Sequence, residues 1–220
     1  FENYRKKYIH YFNVNKKKVK GKKVMLDTSP RVVLVQNVGM FSVGKDLNAA
    51  RIAGDLTETN AKVISSIEET STYKFIPEKD LFDVEYWSLE QAKLNKNKRA
   101  FQGKVVVITG SLGTIGFETY KLFKQQGAEV VLLDCDKIKI KQVQSSIPDL
   151  CLYADVTKRG SIQKAYKLIC EKYGGIDILI SNAGATANGA IGEVDDSILR
   201  QSFEDNFFSH QNCASEAIKI

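Results

Sequence analysis

The sequence contains few residues of the kinds that hold metal ions or form disulfide bonds. Its two histidines, His10 and His210, are far apart and form no ligand-like pair. None of its four cysteines has a partner at a metal-binding or redox spacing. We therefore predict no metal site, and we expect reduced, mostly buried thiols, as in an intracellular protein.

Long apolar runs are also missing. No stretch approaches the roughly 20 residues that an α-helix needs to cross a membrane. The charged, aromatic N-terminus is unlike a secretory signal peptide. With 43% hydrophobic residues, the chain nevertheless has enough apolar material for a core. We expect a soluble, cytoplasmic protein without a membrane partner.

Positive charge is in excess, with a formal net charge of +6, and six lysines lie in the short stretch 16–23. A nucleic-acid partner would require basic residues on one surface together with aromatic or groove-reading motifs. No such motif accompanies this stretch. We interpret it as a solvated loop and predict no nucleic-acid partner.

The most informative segment is residues 104–116, with the sequence KVVVITGSLGTIG. Its β-branched run predicts a buried strand, followed by a turn and a helix that begins near Thr114. Gly110, Gly113 and Gly116 stand where a tight turn, a close approach to a phosphate and close helix–strand packing would exclude side chains. The start of the helix would direct its amides toward a pyrophosphate.

A second apolar strand ends at Asp134, which is 18 residues after Gly116. The acid that binds the ribose hydroxyls of a dinucleotide stands at a similar spacing, about 20 residues. Its carboxylate would repel a 2′-phosphate, so we predict NAD rather than NADP. A helix cap is the alternative role for Asp134, because Asp136 and Lys137 follow.

The second half of the chain alternates between strands and helices. Apolar strands in this alternation predict an α/β fold, a Rossmann-type doubly wound parallel sheet that is incomplete, with about four strands. Ligands of such sheets lie outside the carboxyl ends of the strands, where the strand order reverses. The predicted strands span 104–109, 128–133, 150–154 and 176–181, and the predicted helices span 114–126, 136–145, 158–173 and 195–219.

Four loops would converge on one crevice at that edge. Asp155 and Val156 suit an adenine site, or Asp155 is an ordinary helix cap. Asn182, Ala183 and Gly184 suit the close approach of a ribose, or the asparagine shapes a turn. The predicted cofactor-binding residues are Gly110, Ser111, Gly113, Thr114, Ile115, Gly116, Asp134, Asp155, Val156, Asn182, Ala183 and Gly184.

The first half of the chain predicts a smaller set of elements. Aromatic residues from Tyr4 to Phe12 recur at spacings that predict a helix docked by one face. Short strands are predicted at 31–35 and 40–43. Asp46 is a predicted N-cap for a long amphipathic helix.

Three motifs resemble the cofactor half of the short-chain dehydrogenase/reductases: TGSLGTIG at 109–116, Asp155-Val156, and SNAG at 181–184. In that family a helix-borne asparagine supports a proton relay, and Asn206 matches it. On physical grounds alone, Asn206 would be a satisfied helix residue. The G-x-x-G-x-x-G spacing is more typical of the extended, nucleotide-sugar-modifying members of the family. The Asn-Ala-Gly loop favours the short form.

Other segments resemble a more specific type of protein. PRVVLV at 30–35, GMFSVGK at 39–45 and FDVEYWSLEQAKL at 82–94 are similar to aldolase/dehydrogenase fusions of the rhamnulose-phosphate aldolase/alcohol dehydrogenase type. In these fusions a class II aldolase-like domain precedes a short-chain dehydrogenase. The resemblance implies a small α/β tail of an aldolase-like domain at 1–94, a linker at 95–101 and the NAD-binding half of a dehydrogenase at 102–220.

The resemblance implies an oxidoreductase that acts on a hydroxyl or carbonyl of a small sugar-derived alcohol or aldehyde, and a homo-oligomer. The family also uses a serine and a later Tyr-x-x-x-Lys pair, yet no tyrosine follows Asn206. The chain starts at Phe1 and ends inside a predicted helix, so we expect a piece of a longer protein that is inactive alone. The alternatives are a non-catalytic NAD-binding module and an extended-type nucleotide-sugar epimerase or dehydratase.

Overall fold

The computed structural model describes residues 1–92, 99–186, 188–190 and 192–220. The chain divides into two compact units, Phe1–Lys98 and Arg99–Ile220. Most of the linker predicted at 95–101 lies outside the described residues. Within the described parts of the chain, no helix is long and apolar enough to cross a membrane.

The N-terminal unit is a small α/β assembly. Its elements are α1 (Glu2–Lys16), β1 (Val32–Val35), β2 (Gly39–Ser42), α2 (Leu47–Glu68), α3 (Glu78–Glu85) and α4 (Ser88–Ala92). The two strands pair in antiparallel fashion, with Val32 opposite Ser42. Both strands lie within one residue of their predicted bounds.

Aromatic side chains hold α1 against α3. Phe12 and Tyr86 belong to the buried core of this unit. The hydroxyl of Tyr8 donates a hydrogen bond of 2.5 Å to Glu85 and lies 2.7 Å from the hydroxyl of Tyr86. The prediction that α1 docks through an aromatic face is confirmed, although Tyr4 is 46% exposed.

Helix α2 begins as predicted, because Oδ1 of Asp46 accepts a hydrogen bond of 2.8 Å from the amide of Ala49. This interaction satisfies one of the amides that a helix start leaves without an intrahelical partner. Gly54 brings the helix close to β2, and a Cβ added there would lie 3.2 Å from Oγ of Ser42. Glycine therefore permits the close packing of helix and hairpin.

The C-terminal unit contains a parallel sheet. Its strands are β3 (Val105–Thr109), β4 (Glu129–Asp134), β5 (Leu150–Tyr153) and β6 (Ile178–Ile180), in the spatial order β5-β4-β3-β6. Its helices are α5 (Thr114–Gln125), α6 (Lys137–Gln144), α7 (Arg159–Tyr173), α8 (Asp196–Phe203) and α9 (Ser209–Ala217). The element ends agree with the prediction to within two residues, except in the last helix.

Helices cover both faces of this sheet. Because successive residues of a strand point to opposite faces, Val105 and Val107 pack in one core layer with α7 and α9. Val106 and Ile108 pack in the other layer with α5 and α6. Every residue of β3 is buried. The predicted doubly wound α/β architecture is confirmed.

The strand order reverses at β3. The chain runs from β3 outward to β4 and β5, and β6 then lies on the opposite side of β3. In sheets of this kind, ligands bind at the carboxyl edge beside such a reversal. Within the described residues, β6 pairs with β3 alone.

The predicted helix at 195–219 is instead two α-helices joined by the π-helical turn Glu204–Phe208. The turn contains Asn206, whose Nδ2 donates hydrogen bonds to the carbonyl of Ser202 and to that of Ala185 in the loop after β6. Single π-helical turns are frequent at functional sites. Periodicity did not predict this turn, because it accompanies a contact with a distant loop.

Candidate functional site

A cavity of about 630 Å³ lies at the carboxyl edge of the sheet. All four strand–helix loops contribute to its lining, as the parallel fold predicts. Of the predicted site residues, the structure places Ser111 and Asn206 outside the lining. The others line it: Gly110, Gly113, Thr114, Ile115, Gly116, Asp134, Asp155, Val156, Asn182, Ala183 and Gly184.

Two glycines of the first loop are required by the packing of the protein itself. Gly110 has a φ of +58° in the left-handed region, and a Cβ added there would lie 2.8 Å from Cα of Ala183. A Cβ added to Gly116 would collide with the carbonyl oxygen of Gly110 and lie 2.7 Å from Cα of Ser111. Side chains at these two positions would push the loop away from its neighbours.

Gly113 is different, because the protein leaves room for a side chain there. Its φ is −79°, which any residue adopts, and an added Cβ would meet only the carbonyl oxygen of Gly110, at 3.4 Å. The position lines the cavity at the N-terminus of α5. A side chain would occupy space that a bound phosphate group needs, so this cradle fits a dinucleotide.

Asp134 lies at the end of β4 and holds the glycine loop. Its Oδ2 accepts a hydrogen bond of 2.9 Å from the amide of Leu112, and its Oδ1 accepts one of 3.0 Å from the amide of Asp136. Asp136, rather than Asp134, caps α6, because it accepts from the amides at the helix start. The cap alternative for Asp134 is therefore excluded. A carboxylate oxygen has further lone pairs for a ribose hydroxyl.

Asp155 shapes the turn before α7. Its Oδ1 accepts hydrogen bonds from the amide and the hydroxyl of Thr157, and its Oδ2 lies 2.7 Å from Nζ of Lys158. Burial by itself would raise the pKa of the Asp155 carboxyl. The contacts with Lys158 and Thr157 outweigh burial and hold the pKa below its ordinary value. The N-cap of α7 is Lys158, so Asp155 shapes the turn before the helix and is not its cap. Asp155 and Val156 both line the cavity.

The loop after β6 is fastened to the glycine turn. Nδ2 of Asn182 donates to the carbonyls of Thr109 and Gly110, each at 3.1 Å. The amides of Asn182 and Ala183 both donate to the hydroxyl of Thr109. The side chain of Asn182 therefore shapes the loop, and the backbone of the next residues is left beside the cavity.

Asn206 ties the same loop to the helical segment that follows. Its Oδ1 accepts from the amide of Ala185 at 3.2 Å, and its Nδ2 donates to the carbonyl of Ala185 at 2.6 Å. Gly184 permits this approach, because an added Cβ would lie 2.6 Å from Oδ1 of Asn206. Asn206 is therefore a satisfied polar residue that positions a cavity-lining loop.

Ser111 departs from the prediction. It is 0% exposed, and its hydroxyl donates to the carbonyl of Leu133 at 3.1 Å. Its amide donates to the same carbonyl at 3.2 Å. The turn at Gly110 directs Ser111 toward β4, so this residue links the loop to the sheet instead of touching a ligand.

The cavity has further lining residues that the motifs did not indicate: Cys135, Lys139, Ala154, Thr157, Ala185 and Asp205. All six lie within five residues of a predicted site residue, which was the only available signal. Asp205, on the π-helical turn, reaches the cavity through the fold. Burial and the Asp134 carboxylate raise the pKa of the Cys135 thiol, so this cysteine is no activated thiolate.

Comparison with known families adds to this geometry. A family model described as "short chain dehydrogenase" matches residues 104–220, more than half of the chain. The chain belongs to the short chain dehydrogenase family. A second model, "Aldolase class II, second domain", matches residues 1–94. The sequence resemblance to an aldolase-like region followed by a short chain dehydrogenase is confirmed.

Individual relatives of the chain include proteins named as oxidoreductases or dehydrogenases. The "Uncharacterized oxidoreductase YuxG" of Bacillus subtilis is 28% identical over 201 residues, which cover 87% of this chain and 29% of that protein. Meso-2,3-butanediol dehydrogenase of Serratia marcescens is 36% identical over 94 residues, which cover 41% of this chain and 38% of that protein. The chain spans about a third of the length of these curated relatives.

The fold has relatives of known structure. A crystal structure of "Short-chain dehydrogenase/reductase SDR:Glucose/ribitol dehydrogenase" from Brucella melitensis is 26% identical to this chain, with a TM-score of 0.53. The alignment covers 56% of this chain and 54% of that one. It therefore supports the short chain dehydrogenase architecture of the C-terminal unit.

Tyr166, which directly precedes Lys167 in this short chain dehydrogenase unit, is used for packing. Tyr166 is 2% exposed in the core, and its hydroxyl donates to the carbonyl of Cys213 at 3.3 Å. Burial raises the pKa of Tyr166 well above its ordinary value. This tyrosine is therefore unsuited to proton transfer near neutral pH.

Metal ligands do not converge in the described residues. No group of three or more histidine, cysteine, aspartate or glutamate side chains that could hold a metal ion occurs among them.

Proposed function

We propose that the C-terminal unit is the NAD-binding half of an oxidoreductase in an aldolase/dehydrogenase fusion. The observation that carries the proposal is Gly113, a glycine that the protein's own packing does not require. It lines the cavity beside the N-terminus of α5, where backbone amides and the helix dipole favour a phosphate. Family membership supports a nicotinamide cofactor, and the geometry supports its location.

Each loop would hold one part of the cofactor. The start of α5, at Thr114 and Ile115, would hold the pyrophosphate, and Asp134 would accept hydrogen bonds from a ribose. Asp155 and Val156 would border the adenine, and the loop 182–184 would border the second ribose. NAD, when bound, supplies a hydride acceptor. The carboxylate of Asp134 supports NAD over NADP, because it would repel a 2′-phosphate.

The substrate in this proposal is a small sugar-derived alcohol or aldehyde, oxidised or reduced at a hydroxyl or carbonyl. The names of two relatives, a butanediol dehydrogenase and a glucose/ribitol dehydrogenase, support a small hydroxylated compound as substrate. Asn206 would support a proton relay from its position behind the cavity loop. We assign no turnover to this chain alone, because Tyr166 is buried and no tyrosine follows Asn206.

We further propose a domain boundary within the chain and a cellular compartment for it. The two family matches, 1–94 and 104–220, support a boundary near the predicted linker at 95–101. The four cysteines are free thiols, which supports a reducing, cytoplasmic compartment.

We also propose a homo-oligomer, since Leu199, Phe203 and Phe207 present apolar surface that a second copy would cover.

Calorimetric titration of the complete natural polypeptide with NAD and NADP tests the proposal. We expect binding of NAD and weaker binding of NADP, and hydride transfer only where a serine and a Tyr-x-x-x-Lys pair complete the site. Failure of both dinucleotides to bind would contradict the cofactor assignment. Binding of NAD without turnover of any small polyol or aldehyde would favour the non-catalytic module.

A second candidate rests on the G-x-x-G-x-x-G spacing of the loop at 110–116. This spacing favours an extended-type enzyme that modifies nucleotide sugars. A nucleotide sugar such as UDP-glucose would then raise the melting temperature of the NAD-bound protein. An NAD-induced shift without any shift from the nucleotide sugar would count against this candidate.

A further inference from the structure

A short contact joins the loop after β6 to α9. Oγ of Ser181 lies 2.6 Å from Nδ1 of His210, and both residues are half-buried. Ser181 directly follows β6, whereas His210 lies four residues after Asn206 on the same helical segment. A hydroxyl can donate to or accept from an imidazole nitrogen, so the bond does not depend on one tautomer.

The contact completes a pattern. Ala185 is tied to Asn206 through both its amide and its carbonyl. Ser181 lies four residues before Ala185, and its hydrogen-bond partner His210 lies four residues after Asn206. The loop 181–185 therefore runs antiparallel to the helical segment and is fastened at both ends. The residues between and at these ties, 182–185, are the ones that line the cavity.

We propose that Ser181 and His210 form a positioning pair for the cofactor loop, the counterpart of the tie made by Asn206. The inference rests on the proposed cofactor function of the cavity. The pair holds the start of the loop, so that the backbone at Ala183 and Gly184 stays at the distance that a ribose requires. Among the described residues, His210 is not one of those that line the cavity, and it acts through Ser181.

The effect of removing the pair is local. A single hydrogen bond contributes about 0.5–1.5 kcal/mol net, which corresponds to a change in affinity of roughly two- to tenfold. The adenosine end of the cavity is built from other residues, Asp134 and Asp155, with partners of their own. Loosening the loop should therefore lower the affinity for ligands that reach the loop. The affinity for ligands that occupy only the adenosine end should not change.

The test measures the dissociation constants of NAD and AMP by calorimetry on the complete natural polypeptide. The variants are Ser181→Ala, His210→Leu, the double variant and His210→Asn, in which the amide can replace Nδ1. The matched control is His10→Leu, which alters the only other histidine, an exposed residue of the N-terminal unit.

We expect Ser181→Ala and His210→Leu each to raise the dissociation constant of NAD by about two- to tenfold. AMP affinity should stay unchanged, and the double variant should be no weaker than the worse single variant, because both remove one bond. His210→Asn and His10→Leu should bind like the parent. Equal losses for NAD and AMP, or additive losses in the double variant, would overturn the positioning role.

Hydrogen exchange separates failure of this inference from failure of the proposed function. In Ser181→Ala the amides of Ala183 and Ala185 should exchange faster by a similar factor, while those of β3 stay protected. That result stands even where the parent protein binds no NAD, which would refute the cofactor assignment alone. Unchanged exchange in the loop would refute the tie whatever the protein binds.

Discussion

The carbonyl oxygen of Gly110 occupies the space that a Cβ on Gly116 would need. The first turn of α5 thus lies directly on the loop that precedes it, and the next atoms around Gly116, at 2.7 Å and 3.0 Å, belong to Ser111 and Asn182. Gly113, three residues away, has no such neighbour. The glycines of one motif therefore serve different purposes, one inside the protein and one toward the cavity.

This difference predicts opposite behaviour for two alanine substitutions. Gly116→Ala forces backbone apart and should lower the free energy of unfolding by about 1–3 kcal/mol. Gly113→Ala should change the free energy of unfolding by less than about 1 kcal/mol, yet weaken NAD by roughly tenfold or more, about 1.4 kcal/mol. Urea denaturation and calorimetry measure the two effects. Tight NAD binding by Gly113→Ala would contradict the phosphate cradle.

Asp134 is predicted to control the choice between NAD and NADP. Asp134→Asn removes the negative charge that would repel a 2′-phosphate, and it also weakens one of the two bonds to Leu112 and Asp136. We expect NAD affinity to fall and the NAD/NADP affinity ratio to fall by about tenfold, or 1.4 kcal/mol. Asp136→Asn is the control, because asparagine also caps a helix. An unchanged ratio in Asp134→Asn would refute the selectivity argument.

Asp149 should be important for stability. Its side chain is 4% exposed, lies 2.5 Å from Nζ of Lys124 and accepts from the hydroxyl of Tyr120 at 2.9 Å. Asp149→Ala removes the carboxylate that both Lys124 and Tyr120 contact, and because Lys124 is 40% exposed and can be hydrated, the loss should be about 1.5–3 kcal/mol. Tyr120→Phe removes a single bond and should cost about 1 kcal/mol. Urea denaturation of both variants checks the order, and an equal cost would contradict it.

The lowered pKa of the Asp177 carboxyl should make the stability of the protein depend on pH. Burial alone would raise the pKa of its carboxyl, but hydrogen bonds from Lys104 and the amide of Val105 hold the pKa below its ordinary value. A lowered folded pKa adds stability above the unfolded pKa of about 3.9, and this stability is lost as the pH falls through the folded pKa.

The melting temperature of Asp177→Asn should therefore approach that of the parent protein as the pH falls from about 7 toward about 3. Carboxylates titrate in roughly the lower part of this range. At neutral pH the variant should be less stable. Lys121, whose ion pair with Glu118 lies on the surface of α5, offers a control in Lys121→Met. A constant difference between Asp177→Asn and the parent across this range would contradict the argument.

Most of the architecture of the C-terminal unit could be predicted from local sequence patterns. The apolar runs, the glycines and the acid at the end of β4 predicted the strands, the helix start and the crevice, because each depends on residues close in the chain. The same holds for the N-cap at Asp46. The predicted site residues other than Ser111 and Asn206 came together for a topological reason, since the loops after parallel strands share one edge of the sheet.

The hydrogen-bond partners of the polar side chains, in contrast, depend on how distant segments pack together. Ser111 turns inward because Leu133 offers a carbonyl, Asp136 caps α6 in place of Asp134, and Asn206 lies in a π-helical turn beside a loop from another strand. Ser181 and His210 are 29 residues apart in the chain. Local patterns carry no information about such pairs, because hydrogen bonds form with whatever group the packing of distant segments brings within 3 Å or so.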